Sequence, residues 1–188
     1  MRNRPQPIRY IGIDPGTNVM GYAVIQVVGK QIRLVHMGVI KMNPKSEQQE
    51  KLHKILVDLQ TLIDRYEPTE MAIEAPFFGK NVQAMLKLGR AQGVAMAAGM
   101  TKGLNVTEYA PRKIKQSVTG NGNASKEQVA AMLQQILKVD LREEFLDATD
   151  ALGVAVCHFY QNGSRLGGSK KYSGWAGFIN DNKGRVKS

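Results

Sequence analysis

The hydrophobic residues near the start of the chain fall in three short runs, separated by turns, that are typical of β-strands. A turn at Pro15-Gly16 follows the first run, and a turn at Gly29-Lys30 follows the second. Connections this short favour an antiparallel meander. The three predicted strands span residues 9–14, 21–28 and 31–42.

Beyond the meander, apolar residues recur at the helical period of 3.6 residues. The clearest helix is predicted over 46–66, where Ser46 and Gln49 have the spacing of a capping box and Pro68 follows the last turn. The remaining elements are predicted in the order strand 70–75, helix 81–100, strand 105–110, a helix from Pro111, a helix capped by Ser125 and Gln128, and a helix from Glu143 to Tyr160.

This order of elements predicts an α/β domain with a mixed five-stranded sheet flanked by helices. A right-handed crossover through the 46–66 helix lays strand 70–75 parallel to strand 9–14. If the two strands are neighbours, Asp14 and Glu74 emerge side by side at their carboxyl ends. Open α/β sheets place their functional sites at that edge.

Composition narrows the class of protein. The chain has 188 residues, of which 43% are hydrophobic and 22% charged, and these values predict one compact domain over 1–162. From 163 to 188 the chain is rich in Gly, Ser, Lys and Asn, which predicts a basic flexible tail. The single cysteine, Cys157, excludes a disulfide framework and a cysteine-based zinc site. With no long apolar segment, we expect a cytoplasmic protein without membrane contact.

The positive charge is unevenly distributed. The net charge is +10, and residues 75–126 hold eight basic residues and one acid. The 163–188 segment adds six basic residues against one acid. Such segregation predicts a polyanion such as nucleic acid as the partner, because a basic surface kept only for solubility needs no separation of sign.

Two strands and one helix carry the candidate chemistry. Asp14 and Glu74 each end a predicted strand, and Asp147 and Asp150 lie three residues apart on a predicted helix among apolar neighbours. Taken singly, each acid has an ordinary explanation: Asp-Pro-Gly is a common turn, and an acid in the first turn of a helix, such as Asp147, is favoured by the helix dipole. Taken together, the four predict a carboxylate cluster.

Clustered carboxylates repel one another, and a hard divalent cation such as Mg²⁺ relieves that repulsion. Two such ions activate a water and stabilise the leaving oxygen in phosphodiester hydrolysis. In this interpretation Asp14 ends its strand to reach a metal, Pro15 stiffens the exit, and Gly16 keeps side-chain bulk away from an approaching phosphate.

Four segments in this order resemble the RuvC family of Holliday-junction resolvases over roughly residues 8–160. The resemblance implies a ribonuclease H-like fold, a homodimer, and paired nicks of like-polarity strands at a four-way DNA junction. It also implies two Mg²⁺ ions per subunit, replaceable by Mn²⁺, and a RuvA-RuvB branch-migration complex as partner. The segments are "IGIDPGTNVMGYAVI", "AIEAPFFGKNVQAMLKLGRAQGVA", "YAPRKIKQSVTGNGNASKEQV" and "DATDALGVAVCH".

The resemblance assigns roles to individual positions. Phe77 matches an aromatic residue that stacks on junction bases; core packing is the alternative for one of Phe77 and Phe78, although a phenylalanine beside a Gly-Lys-Asn loop is less easily buried. Lys115 and Lys126 match basic residues of the active site, where Lys126 would hold the scissile phosphate. Lys80 and Arg112, from the basic segment, complete the predicted DNA-binding set. The family's acidic tetrad falls on Asp14, Glu74, Asp147 and Asp150.

Three other classes of protein share part of this pattern. The "DPGT" turn also resembles the phosphate-binding turn of the sugar-kinase, actin and chaperone ATPases, but those need two such folds and this chain is long enough for one. RuvC-like RNA-processing nucleases share the first motif and tend to be shorter. A non-catalytic basic DNA-binding module remains open and would tolerate loss of Asp14.

The predicted helix over 81–100 carries an unusual number of small residues in its second half, "LGRAQGVAMAAGM". Glycine inside a helix costs about 1 kcal/mol relative to alanine, so these positions call for a packing explanation. Part of the small face is expected to pack on the protein's own sheet. We expect the rest, including Gln92 and Met96, to form the exposed contact of a two-fold dimer.

Overall fold

A computed structural model describes residues 8–76, 81–141 and 146–166, with side chains up to residue 162. The sheet is mixed and five-stranded, and its strands lie in the order β3-β2-β1-β4-β5. The first three strands are antiparallel neighbours, whereas β4 is parallel to β1 and β5 is parallel to β4. The strands are β1 (Ile8–Asp14), β2 (Val19–Val28), β3 (Gln31–Lys41), β4 (Glu70–Glu74) and β5 (Asn105–Tyr109).

Helices cover both faces of the sheet because successive side chains along each strand point alternately to the two faces. Ile11 and Ile13 of β1 pack with one pair of helices, and Tyr10 packs with the other three. The first face carries α1 (Gln48–Tyr66) and α2 (Val82–Thr101). The second carries α3 (Pro111–Thr119), α4 (Lys126–Leu137) and α5 (Leu146–Leu166).

The predicted mixed sheet is confirmed, and so is the capping box of α4, in which Ser125 and Gln128 bond reciprocally. The capping box predicted for α1 is wrong. The N-cap of α1 is Glu47, which makes no side-chain cap bond. Ser46 lies one residue too early, because its amide closes a turn by donating to the carbonyl of Asn43 at 3.1 Å.

Helix α5 extends six residues beyond the predicted end at Tyr160. The first two added residues bond to the rest of the domain: Gln161 donates to Ser117 and Asn162 donates to Glu70, at 3.1 and 3.0 Å. The compositional change at residue 163 therefore does not end the helix. Residues 143–145 and 167–188 lie outside the described part of the chain, so the division into a domain over 1–162 and a tail over 163–188 stays a prediction.

Candidate active site

The first two acids meet because their strands are parallel neighbours. The register pairs Tyr10 with Glu70 and Ile13 with Ile73, so Asp14 and Glu74 follow at the same edge of the sheet. Both carboxylates are half-buried. The predicted juxtaposition of these two strand ends is confirmed.

Helix α5 brings the other two acids to the same edge. Asp147 lies in its first turn and Asp150 one turn later, both half-buried. One oxygen from each of Asp14, Asp147 and Asp150 lies within 4.8 Å of the other two. Glu74 is not part of this group of three, but it lines one cleft together with Asp14 and Asp150.

Two glycines, which the sequence pattern did not single out, let α5 come this close. A β-carbon on Gly21 of β2 would overlap the backbone carbonyl of Asp147, and one on Gly12 of β1 would overlap that of Ala151. Gly21 is also the register partner of Asp14 across the β1-β2 ladder. Glycine within a strand is a known sign of close backbone approach, and that signal could have identified both positions.

The turn after Asp14 is built differently from the prediction. The space that a β-carbon of Gly16 would need is filled by the backbone of Val19. Gly16 therefore serves the tight β1-β2 turn itself, rather than clearing a path for phosphate. Asn18 of the same turn accepts a hydrogen bond from Lys51 Nζ at 2.9 Å, which ties the turn to the start of α1.

Two lysines line the cleft beside the acids. Lys126, the first residue of α4, places Nζ 2.5 Å from Asp150 Oδ2, and Lys115 of α3 also lines the cleft. The apolar side chains of Pro111, Ile114 and Val129 complete the described lining. A positive charge beside clustered carboxylates matches a site that receives a phosphate.

The environment alters the proton affinity of the acids. Burial, followed by the charges of Glu74, Asp150 and Asp147, raises the pKa of Asp14 to about 7. Burial and the charge of Asp150 raise the pKa of Glu74 to about 7, against the opposing effects of Lys126 and Lys115. The hydrogen bond to Asp150 raises the pKa of Lys126. Shifts of this kind are typical of functional sites.

The remaining predicted contacts are only partly described. Arg112 lies on the exposed side of α3, where its side chain runs along Gly122. Phe77 and Lys80 lie outside the described residues. The predicted exposure of Gln92 is wrong, because this side chain is buried and donates to the carbonyl of Glu74 and to Glu108, at 3.4 and 3.3 Å. Gln92 therefore anchors α2 beside the cleft.

The donor set fits a hard divalent cation. Three carboxylates converge within 4.8 Å, and Mg²⁺, Ca²⁺ and Mn²⁺ prefer oxygen ligands of this kind. Cys157 is buried away from these acids and donates to Ser117, so no soft ligand from it joins the set. Within the described ranges, no helix has the length and hydropathy needed to cross a membrane.

Comparisons with known proteins agree on one family. The family profile described as "Crossover junction endodeoxyribonuclease RuvC" matches residues 10–158. A protein of that name from Cytophaga hutchinsonii is 56% identical, covering 100% of this chain and 93% of its own. One from Bacteroides fragilis is 53% identical, covering 97% and 99%. The solved structure of T. thermophilus RuvC in complex with Holliday junction substrate is 31% identical, with a TM-score of 0.78, covering 85% of this chain and 96% of its own.

Proposed function

We propose that this chain resolves four-way DNA junctions in homologous recombination and repair, because it belongs to the RuvC family of crossover junction endodeoxyribonucleases. The observation that carries the proposal is the group of three carboxylates, Asp14, Asp147 and Asp150, at one sheet edge of a basic protein. The relatives' name and the junction-bound structure of a 31% identical protein support the substrate.

The proposed catalysis depends on divalent metal held by four acids. Asp14, Asp147 and Asp150 would hold it directly, and Glu74, which lines the same cleft as Asp14 and Asp150, would complete the set. When bound, two Mg²⁺ ions, or Mn²⁺ in their place, supply an activated water and stabilisation of the leaving oxygen.

The basic residues around the cleft are proposed to hold the DNA. Lys126 would contact the scissile phosphate, and Lys115 and Arg112 would neutralise neighbouring phosphates along α3. Phe77 and Lys80 follow Glu74 in the chain and are proposed to reach the junction, with Phe77 stacking on a base. Phosphate contacts set the position of the DNA and leave the preferred sequence to base contacts.

We propose a two-fold dimer through the outer face of α2. Val82, Leu86 and Met100 are 68%, 52% and 55% exposed, and β-carbons on Gly89 and Gly93 would meet open space. These positions follow the helical spacing of four and three residues, so they form one exposed apolar stripe. A two-fold dimer would supply two sites for two symmetric cuts.

We propose the cellular setting from the family to which the chain belongs and from its single cysteine. A RuvA-RuvB branch-migration complex is the proposed partner, and co-purification tests it. The single cysteine is free and buried, which agrees with a reducing cytoplasm.

A cleavage assay on defined substrates tests the function. The purified protein is incubated with labelled four-way junctions, linear duplex and RNA-DNA hybrid, each with Mg²⁺ and with EDTA. We expect paired nicks in the junction alone, and only with Mg²⁺. Cleavage of the hybrid would favour the RNA-processing nuclease. Binding to the junction without cleavage in the presence of any divalent ion would favour a non-catalytic DNA-binding module.

A further inference from the structure

The ion pair between α4 and α5 is placed where a metal ion and a lysine would compete. Lys126 Nζ lies 2.5 Å from Asp150 Oδ2, and Asp150 is one of the three acids whose oxygens converge within 4.8 Å. Among the described residues, this is the one salt bridge that involves any of the four acids. The oxygen that bonds Lys126 belongs to the donor set proposed for the metal.

The two partners differ in how firmly they are held. The Asp150 side chain is 22% exposed, and α5 is packed against the sheet beneath it. The backbone of Lys126 is fixed, because the Ser125 capping box and the buried Val129 hold the first turn of α4 in place. Its side chain is 65% exposed and carries a flexible four-carbon stem. The ammonium can therefore leave Asp150 without any movement of either helix.

We propose that the Lys126 ammonium and a divalent cation bind Asp150 in exchange for one another. In the absence of metal, Lys126 neutralises the carboxylate cluster, and metal binding displaces its ammonium toward the phosphate side of the cleft. The inference rests on the proposed metal site and adds to it an internal competitor. Lys126 thus lowers the affinity of the free protein for metal and becomes available for phosphate only when metal is present.

Direct metal binding tests the exchange without any cleavage. The full chain is titrated with Mn²⁺ in the absence of DNA, and free Mn²⁺ is followed by electron paramagnetic resonance. We expect Lys126→Met to bind Mn²⁺ about twofold to fivefold more tightly than the wild type, since a partly exposed ion pair no longer has to break. Lys126→Arg keeps the charge and is expected to bind Mn²⁺ no more tightly than the wild type.

Lys115→Met is the matched control. Lys115 lines the same cleft but has no salt bridge among the described residues, so its loss removes one charge without breaking an ion pair. We expect a smaller gain in Mn²⁺ affinity than for Lys126→Met. Equal gains in the two variants would overturn the exchange, because a general electrostatic effect would then explain both. An unchanged or weaker affinity of Lys126→Met would overturn it as well.

Thermal unfolding gives a second, independent signature. Without metal, Lys126→Met should melt below the wild type because the carboxylates lose their counter-charge, and saturating Mn²⁺ should remove that difference. A difference that persists at saturation would contradict the exchange.

The substitution Asp14→Asn, made in the wild type and in Lys126→Met, tests whether Mn²⁺ binds at the carboxylate cluster. If neither background binds Mn²⁺ through Asp14, the proposed metal site fails; if both do and Lys126→Met is unchanged, only the exchange fails.

Discussion

Gly21 faces the backbone carbonyl of Asp147 so closely that a methyl group on this glycine would overlap the oxygen. The contact sets how near the first turn of α5 lies to β2, and Gly21 pairs in register with Asp14. The distance between the strand acid and the helix acids therefore depends on the absence of one side chain.

Gly21→Ala is expected to push α5 away from the sheet. Overpacking of this kind costs about 1 to 3 kcal/mol, and we expect junction cleavage to fall by more than stability alone explains, because Asp147 and Asp150 move from Asp14. Denaturant unfolding and cleavage rates are measured together. Gly153→Ala on the same helix is the control: its methyl would meet Ile114 at an ordinary 3.5 Å, so stability and cleavage should be kept or improved.

Asp14→Asn should separate chemistry from binding. The substitution removes one converging oxygen ligand from the group of three, and we expect cleavage to fall at least about a hundredfold, the upper end of what loss of an outer-shell metal partner costs. Junction affinity should stay or increase, since negative charge is removed from a phosphate-facing surface. Gel-shift and cleavage assays on the same preparations decide this, and an active Asp14→Asn protein would contradict the proposed mechanism.

The buried acids should make the metal-free protein less stable as the pH rises. Asp14 and Glu74 have pKa values raised to about 7 from 3.8 and 4.5, so the folded state binds more protons than the unfolded state between those limits. Their contribution to the free energy of unfolding is then lost as the pH rises from about 4 to about 7, and is constant above that range. Denaturant unfolding with a chelator present measures it.

The variant Asp14→Asn should show a shallower fall of stability across the same pH range, because one titrating group is gone. Asp64→Asn is a suitable control, since Asp64 is an exposed acid paired with Lys102. Identical pH dependence in the wild type and in Asp14→Asn would mean that Asp14 ionises normally in the folded protein.

Junction affinity should depend steeply on salt because phosphate contacts release counterions. Lys115→Ala is expected to make the slope of log affinity against log salt shallower by about 0.9, the effect of one lost phosphate contact. Lys54→Ala, on the exposed side of α1 and paired with Asp58, is the control and should leave the slope unchanged. A wild-type affinity that is constant between low and high salt would argue against phosphate binding.

A charge on the outer face of α2 should give monomers. Gly93→Arg places a long cation where the present structure has open space, so the fold should tolerate it while a two-fold contact should not. Analytical ultracentrifugation at micromolar concentration measures the state, and cleavage assays should show single, uncoupled nicks. Lys45→Glu, an exposed charge change in the turn before α1, should remain dimeric. A monomeric wild type with full junction resolution would refute the dimer.

The part of the site that lies on strand ends could be predicted from the sequence because each step was local. A run of apolar residues that stops at an acid, repeated after one crossover helix, was enough to place Asp14 beside Glu74. The first-turn spacing of Asp147 and Asp150 was likewise a property of one helix. Their convergence with Asp14 was predicted because acids among the apolar residues of a helix need a cation or a hydrogen-bond partner, and the resemblance to a family then assigned all four acids to one site.

The contacts between elements could not be predicted in this way. Lys126 and Asp150 are 24 residues apart on two helices, and no local pattern sets the distance between α4 and α5. Gln92 was assigned to the exposed face of the 81–100 helix that was expected to form a dimer contact, yet its amide is buried against Glu108. The α1 cap failed for a similar reason, since Ser46 has the spacing of a capping box but its amide closes the preceding turn, and the helix begins one residue later with Glu47 as its N-cap.

The position of α5 in the chain has a consequence for synthesis. Asp14 and Glu74 leave the ribosome early, whereas Asp147 and Asp150 are translated more than seventy residues after Glu74. Because α5 covers the face of the sheet that contains Ala23 and Ile25, the nascent chain exposes that apolar face until translation has passed this helix. We therefore expect the four acids to come together, and cleavage to become possible, only after α5 has left the ribosome and packed on the sheet.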